Sequence, residues 1–311
     1  MAAYTAGELQ NLFYAPESSY GITPTSALTW GARLLSIKPR WDLAKQFDPL
    51  PGSRTSYGTM TTGARVAGAT VRAYAKAVSG GYDWRNLWAV YALGSTSGLA
   101  EHLPSFSMQI AQRVGASSYR RNLYNGCKVT KLDLAGTGVG LPLEFSAELI
   151  AQHIASSTSK AFTGLQAVTV GADPAEISTP ELKWTGTLQY NLGAGLVALR
   201  PDSWKLTVDN HMEAQPGNLP GASGGPYPLA AGAGINEGLR DILFEWTQQA
   251  NDETFINARL ADTPISAVTI PIGANTVTLY EGTWDQPELP ERVQGLFKET
   301  YTLRFRSLSI A

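Results

Sequence analysis

Apolar and polar residues alternate with a period of two through most of the chain, the pattern of strands with one buried face. The alternation predicts strands over 28–37, 64–74, 106–111, 127–134 and 143–150 in the first half. In the second half it predicts them over 184–190, 204–209, 239–246 and 300–308, with two more stretches ending at Ile272 and Leu279. Two segments break the period. Asp83 precedes Leu87, Trp88, Tyr91 and Leu93, spaced for one apolar helix face, and Gly94 suits the residue after a helix end. Asn251 or Asp252 opens a second such segment with Phe255, Ile256 and Leu260. Pro39 predicts the end of the first strand, and Pro49, Pro51, Gly52, Gly58 and Gly63 predict a long loop over 40–63. A second Pro/Gly loop spans 214–234, and Gly136-Thr-Gly-Val-Gly140 reads as a tight turn.

The two halves share one order: strand, long loop, strand, short capped helix, then a run of strands. Residues 37–74 answer 206–246, and 143–149 answer 298–305, as a repeat of pattern rather than of residues. The pattern thins between 155 and 180, which predicts the boundary. The expected organisation is an arm over 1–20, a first domain over 21–160 and a second over 161–311. The fold class expected is mainly β, with a short helix beside each domain.

Composition sharpens this picture. Of 311 residues, 43% are apolar and only 16% charged, against about a quarter charged in ordinary soluble domains. The net charge of -2 excludes a strongly basic nucleic-acid binder, and the abundant aromatic and β-branched residues exclude disorder. So little charge points to surface hidden against other copies of the chain. One cysteine, Cys127, allows no intrachain disulfide and no thiolate metal cluster. No apolar run is long enough for a membrane helix, and the first residues lack a basic segment followed by an apolar one, so the expectation is an intracellular protein at synthesis.

Catalytic motifs give little. Gly221-Ala-Ser-Gly-Gly225 fits G-x-S-x-G and is close to the G-D-S-G-G stretch of chymotrypsin-like proteases, and His102, Asp133 and Ser223 follow that family's triad order. Ala222 stands where that pattern has an aspartate, and Pro216, Pro220, Pro226 and Pro228 surround the serine. A flexible loop accounts for these residues, and a serine hydrolase using Ser223 is the alternative reading. The glycine turn at 136–140 is followed by Pro142 and lacks the helix that a phosphate cradle introduces. His102, His153 and His211 are scattered, and neither catalysis, a cofactor nor a metal is expected. Aromatics on the arm and loops are natural anchors for a neighbouring subunit: Phe13, Tyr14 and Tyr20, then Trp41, Phe47 and Tyr57, with Tyr227 in the second loop.

Several segments together resemble the major tail tube protein family of long-tailed, siphovirus-like bacteriophages and related viruses. They are Glu17-Ser-Ser-Tyr-Gly21 followed by Trp30, Asn125-Gly-Cys-Lys-Val-Thr-Lys-Leu-Asp-Leu134, Trp204-Lys-Leu-Thr-Val-Asp-Asn210 and Gly238-Leu-Arg-Asp-Ile-Leu-Phe-Glu-Trp246. The resemblance implies a tail-tube-type β-sandwich or barrel domain with a flanking helix, whose sheets join around a lumen, with rings stacked through the arm and long loops; the pattern repeat makes two such domains in tandem the expectation here. It implies a structural virion protein without enzymatic activity, made in the host cytoplasm and placed in the tail, conducting DNA during ejection. Its partners would be itself, a tape measure protein in the lumen, a tail terminator and tail tip or baseplate proteins, with transient contact to genomic DNA and no membrane insertion. The pattern repeat favours trimeric, pseudo-hexameric rings over hexameric ones. A terminator or baseplate ring protein is a further alternative of the same fold.

Overall fold

The computed structural model describes residues 10–22, 24, 28–49, 57–76, 85–113, 119–157, 181–214, 235–249, 254–285 and 298–311. The first half contributes β1 (Gln10–Pro16), β2 (Thr29–Pro49), β3 (Tyr57–Tyr74), β4 (Phe106–Arg113), β5 (Tyr119–Gly136), β6 (Glu144–Ala151) and β7 (His153–Ser157). Between β3 and β4 a π turn, Arg85–Ala89, runs into the helix α1 (Val90–Leu93). The second half contributes β8 (Leu188–Asn191), β9 (Leu196–Leu199), β10 (Ser203–Asp209), β11 (Glu213–Ala214), β12 (Ile235–Asn236) and β13 (Asp241–Gln249). The helix α2 (Thr254–Leu260) follows, then β14 (Ile265–Ile272), β15 (Asn275–Trp284) and β16 (Lys298–Ile310).

One large antiparallel sheet carries nearly all of these strands, in the order β4-β1-β2-β3-β6-β5-β10-β13-β16-β15-β14-β8-β9. First-half strands occupy one side of that order and second-half strands the other. They meet where Lys131–Gly136 of β5 pairs with Trp204–Asp209 of β10. A further ladder joins β4 to β5, so six of the seven first-half strands close into a circuit, β4-β1-β2-β3-β6-β5-β4, with β7 paired to β5 beside it. In the second half β14, β8, β9, then β10, β13, β16 and β15 follow the same neighbour order, and β15 returns to β14. There β9 and β10, separated by Pro201, take the place that the single long β2 takes in the first.

Alternation decides what is inside. Along β10 the burial runs strictly alternate, with Trp204, Leu206 and Val208 inward, and β13 repeats this with Ile242, Phe244 and Trp246. Each helix plugs its half with aromatics. Trp88 lies 4.9 Å from Phe145 and Tyr91 4.2 Å from Phe106, while Phe255 packs at 4.7 Å from Tyr190 and 5.2 Å from Trp246. The seam between the halves is packed by Trp184 against Trp204, with centroids 6.5 Å apart. Gly94 ends α1 in the left-handed conformation (φ 97°), and its N–H donates to the Val90 carbonyl.

Sequence and structure differ at four places. Pro39 does not end its strand: β2 continues to Pro49, opposite β3. Beyond Leu34 the pairings of β2 are with β3 alone, so among the described residues its other edge makes no ladder that would need a proline's missing N–H. The long loop expected over 40–63 is therefore largely a two-stranded ribbon, and 50–56 lie outside the described residues. The arm expected over 1–20 contains β1, a strand paired on both sides by β2 and β4, with residues 1–9 outside the described set. The strand expected over 184–190 begins only at Leu188, because Trp184 instead makes backbone hydrogen bonds to the β5–β6 turn. The expected boundary at 155–180 falls mostly outside the described residues, although β7 covers its start.

Candidate functional site

Two surfaces carry the residues singled out by the sequence: the solvent side of the joined sheet and the two ends of its strands. On the solvent side, the residues left outward by the alternation on β3, β6, β5, β10, β13 and β16 form one continuous polar face. Cations and carboxylates interleave across it. Arg72 meets Glu144 at 2.6 Å, Lys205 meets Asp133 at 3.2 Å and Arg304 meets Asp241 at 2.5 Å. Lys131 stands opposite Glu148 on one side and Asp209 on the other. The like-charged neighbours Asp209 and Asp241 are compensated by His211, whose Nε2 lies 2.9 Å from Asp241 Oδ2, and by Arg304. Hydrogen bonding to Asp241 and the charge of Asp209 raise the His211 pKa, and His211 with Arg304 lowers that of Asp241. Pairs this exposed each contribute no more than about 1 kcal/mol, so their consequence is a flat surface potential rather than stability.

Beside this face a buried polar cluster fastens the halves together. Asn210 is 2% exposed, and its Nδ2 donates to the carbonyls of Ala92 and Val129 while its Oδ1 accepts from Arg240 Nε at 2.7 Å. Arg240 reaches on to the Leu93 and Ala100 carbonyls. Burial lowers its pKa, yet five donors in a fork suit so many acceptors. Nearby, Lys128 pairs with Glu237, which also accepts from the Leu103 N–H.

The family-like segments converge here. Glu17 accepts from the N–H of Gly21 (2.9 Å), the hydroxyl of Ser107 (2.7 Å) and the N–H of Gly126 (2.8 Å), tying 17–21 to 125–127. Lys128 sits 5.8 Å from the centroid of the Tyr20 ring. Burial, with Cys127 and Glu17 nearby, drives the Tyr20 pKa upward, and burial raises that of the Cys127 thiol as well. Neither family models nor curated proteins give a match to this sequence.

The remaining anchor residues divide sharply. Phe13 and Tyr14 are 0% and 9% exposed, so these two fill the chain's own interior rather than projecting from an arm. Trp41, Phe47 and Tyr57 lie on the β2–β3 ribbon by backbone position, and their side chains are outside the described set. Tyr227 and Ser223 also fall outside it; β11 and β12 pair at the base of their loop. Asp133 accepts from Thr207 Oγ1 at 2.7 Å and pairs with Lys205 on the polar face, and His102 is an exposed residue after α1.

Sequence reasoning missed a different set. Val139 (65% exposed) and Leu141 (51%) stand out from the β5–β6 turn, and Leu196 and Val197 from the edge strand β9. The signal for the first pair was the apolar pair inside a glycine-rich turn, where polar residues are the norm.

Proposed function

We propose that this chain is a structural, self-assembling virion protein, a phage tail tube subunit whose stacked rings conduct DNA during ejection. The observation that carries the reading is the repeated neighbour order of strands, β4-β1-β2-β3-β6-β5 followed by β14-β8-β9/β10-β13-β16-β15. In this reading the two circuits are tandem tube-type barrels, each with its short helix, and the β5–β10 ladder is an internal copy of the contact that joins barrels around a ring. A chain that supplies two barrels closes as a trimer with pseudo-sixfold symmetry. The polar sheet face, with its interleaved charges, is the lumen lining: it offers a polyanion no cationic track to bind. The tape measure protein occupies that lumen during assembly, and terminator and tip proteins cap the ends.

Electron microscopy of purified protein, alone and with a tail-tip nucleator, tests the reading, with native mass spectrometry counting chains per ring. Rings of three chains and tubes built from them are expected. A monodisperse monomer under every condition overturns it.

A further inference from the structure

The β8–β9 hairpin differs from the polar face in carrying no charge: no Asp, Glu, Lys, Arg or His occurs from Trp184 to Leu199. Every residue from Gly193 to Ala198 is exposed. Leu196 and Val197 are sequence neighbours on a strand, so they point to opposite faces, and they are 54% and 49% exposed. No other part of the chain covers either face of β9 at these residues. The strand is nevertheless held in place. Asn191 Oδ1 accepts from the N–H groups of Gly193 (2.7 Å) and Gly195 (3.1 Å), which fixes the turn. Both glycines adopt positive φ there, 102° and 113°. Behind the hairpin β8 pairs with β14, and Ser266 Oγ donates to the Asn191 carbonyl at 2.9 Å. Apolar groups presented with so little freedom left to lose spare a contact its ordering cost.

β9 ends the strand order of the large sheet and pairs with β8 alone among the described residues. Free edges are ordinarily blunted by charge or proline. β2 follows that rule, with Lys38, Pro39, Arg40 and Asp42 where its pairing is with β3 alone. β9 has neither device between Leu196 and Leu199. A row of backbone donors and acceptors is matched by another strand. A partner that strands no polar side chain against Leu196 and Val197 is itself apolar on both faces. Among the described strands with a free side, β9 is the one apolar at every position, so its complement is a second β9. Two such edges meet antiparallel about a two-fold axis. That contact closes on itself, unlike the heterologous contacts that build rings and filaments.

We propose that β9 is a self-recognition edge, on which a second copy of this chain pairs antiparallel through its own Leu196–Leu199 to form an isologous dimer. Four residues a side make a weak contact, one that dilution dissolves. The pairing stands apart from the tube reading and belongs to the dispersed chain.

The test follows the full, dispersed chain by sedimentation equilibrium and native mass spectrometry over a concentration series. The wild type shows a monomer–dimer equilibrium. Val197→Lys and Val197→Glu each set like charges against each other near the axis, and each weakens the dimer at least about tenfold with the thermal midpoint unchanged. Mixing the two variants restores a dimer of one copy of each, because the contact is the same patch on both chains. A wild type without dimers, variants that dimerise as the wild type does, or a mixture that stays unpaired overturns the proposal. Rings and tubes formed by a chain without such dimers overturn the β9 edge and leave the tube reading standing. Dimers that the variants break, in a chain that makes neither rings nor tubes, do the reverse. Should the variants fail to fold, amide exchange on the wild type decides. The Leu196–Leu199 amides exchange at least about tenfold more slowly in concentrated than in dilute protein, and an unchanged rate overturns the edge.

Discussion

Asn210 shows how much can depend on one side chain. A single buried amide satisfies two carbonyls from the first half and orients an arginine from the second. Asn210→Ala strands those partners in a buried seam, and a loss of about 2–4 kcal/mol in urea unfolding is expected. Asn210→Asp keeps the acceptor toward Arg240 but sets a carboxylate against two carbonyl oxygens, so it does not restore stability. His211 gives the opposite scale of effect. Its raised pKa means that protonation favours the folded state, so its contribution is complete below the ordinary imidazole value of about 6.5 and fades as pH rises through the folded value. Asp241, held low, contributes above the ordinary carboxylate range and loses that contribution as pH falls through its folded value. With the imidazole half exposed, the His211 term stays below about 1 kcal/mol. His211→Gln should flatten the urea midpoint between pH 5.5 and 8, and an NMR titration of the ring checks the direction.

At the scale of elements, period-two alternation found most of the long strands because one face of each is buried in the core. It misjudged elements wherever edge pairing rather than burial decides. Pro39 reads as a breaker in sequence, yet β2 continues through it on an edge that no described strand pairs, where a missing N–H breaks no ladder. The strand expected from Cys127 begins already at Tyr119, and β5 continues through Asn125-Gly126 with a shift of register against β4. Gly126 adopts φ 62° there, and Glu17, 109 residues earlier in the chain, accepts its N–H, a partner that no local pattern announces. β1 was hidden for a similar reason: a seven-residue strand flanked by polar residues gains its place from two neighbours distant in sequence. Gly94 was legible, because an apolar helical stripe ending at glycine has one common outcome. Gly94→Ala adds a Cβ 2.4 Å from that of Ala100 at φ 97°, and a fall of at least about 1 kcal/mol in stability is expected by thermal unfolding.

For the molecule as a whole, net charge concealed the arrangement that matters. A value of -2 is compatible with separate basic and acidic patches, and only the strand registers show cations and carboxylates alternating across one face. The candidate site was legible in its low charge, but not in its apolar turn or its geometry, since Lys131, Asp209 and Arg304 come from three distant strands. The wild-type chain should pass unretained over a DNA column at physiological salt. Reversing Asp133, Glu148 and Glu245 to lysine should create retention that collapses with added salt, with a slope near -0.9 per phosphate contacted. Retention of the wild type would count against the face as a passive lining.

The β5–β10 ladder has a further consequence for concentration. Two halves that met as separate chains would form this contact at a rate and extent set by dilution, and each meeting would cost translational and rotational freedom. Carried within one chain, the contact is intramolecular and holds at any concentration that leaves the protein folded. In the proposed assembly only the contacts between chains obey mass action. A dilution series followed by light scattering should therefore fall to the mass of one chain, with the Trp184–Trp204 packing and its near-ultraviolet dichroism intact throughout.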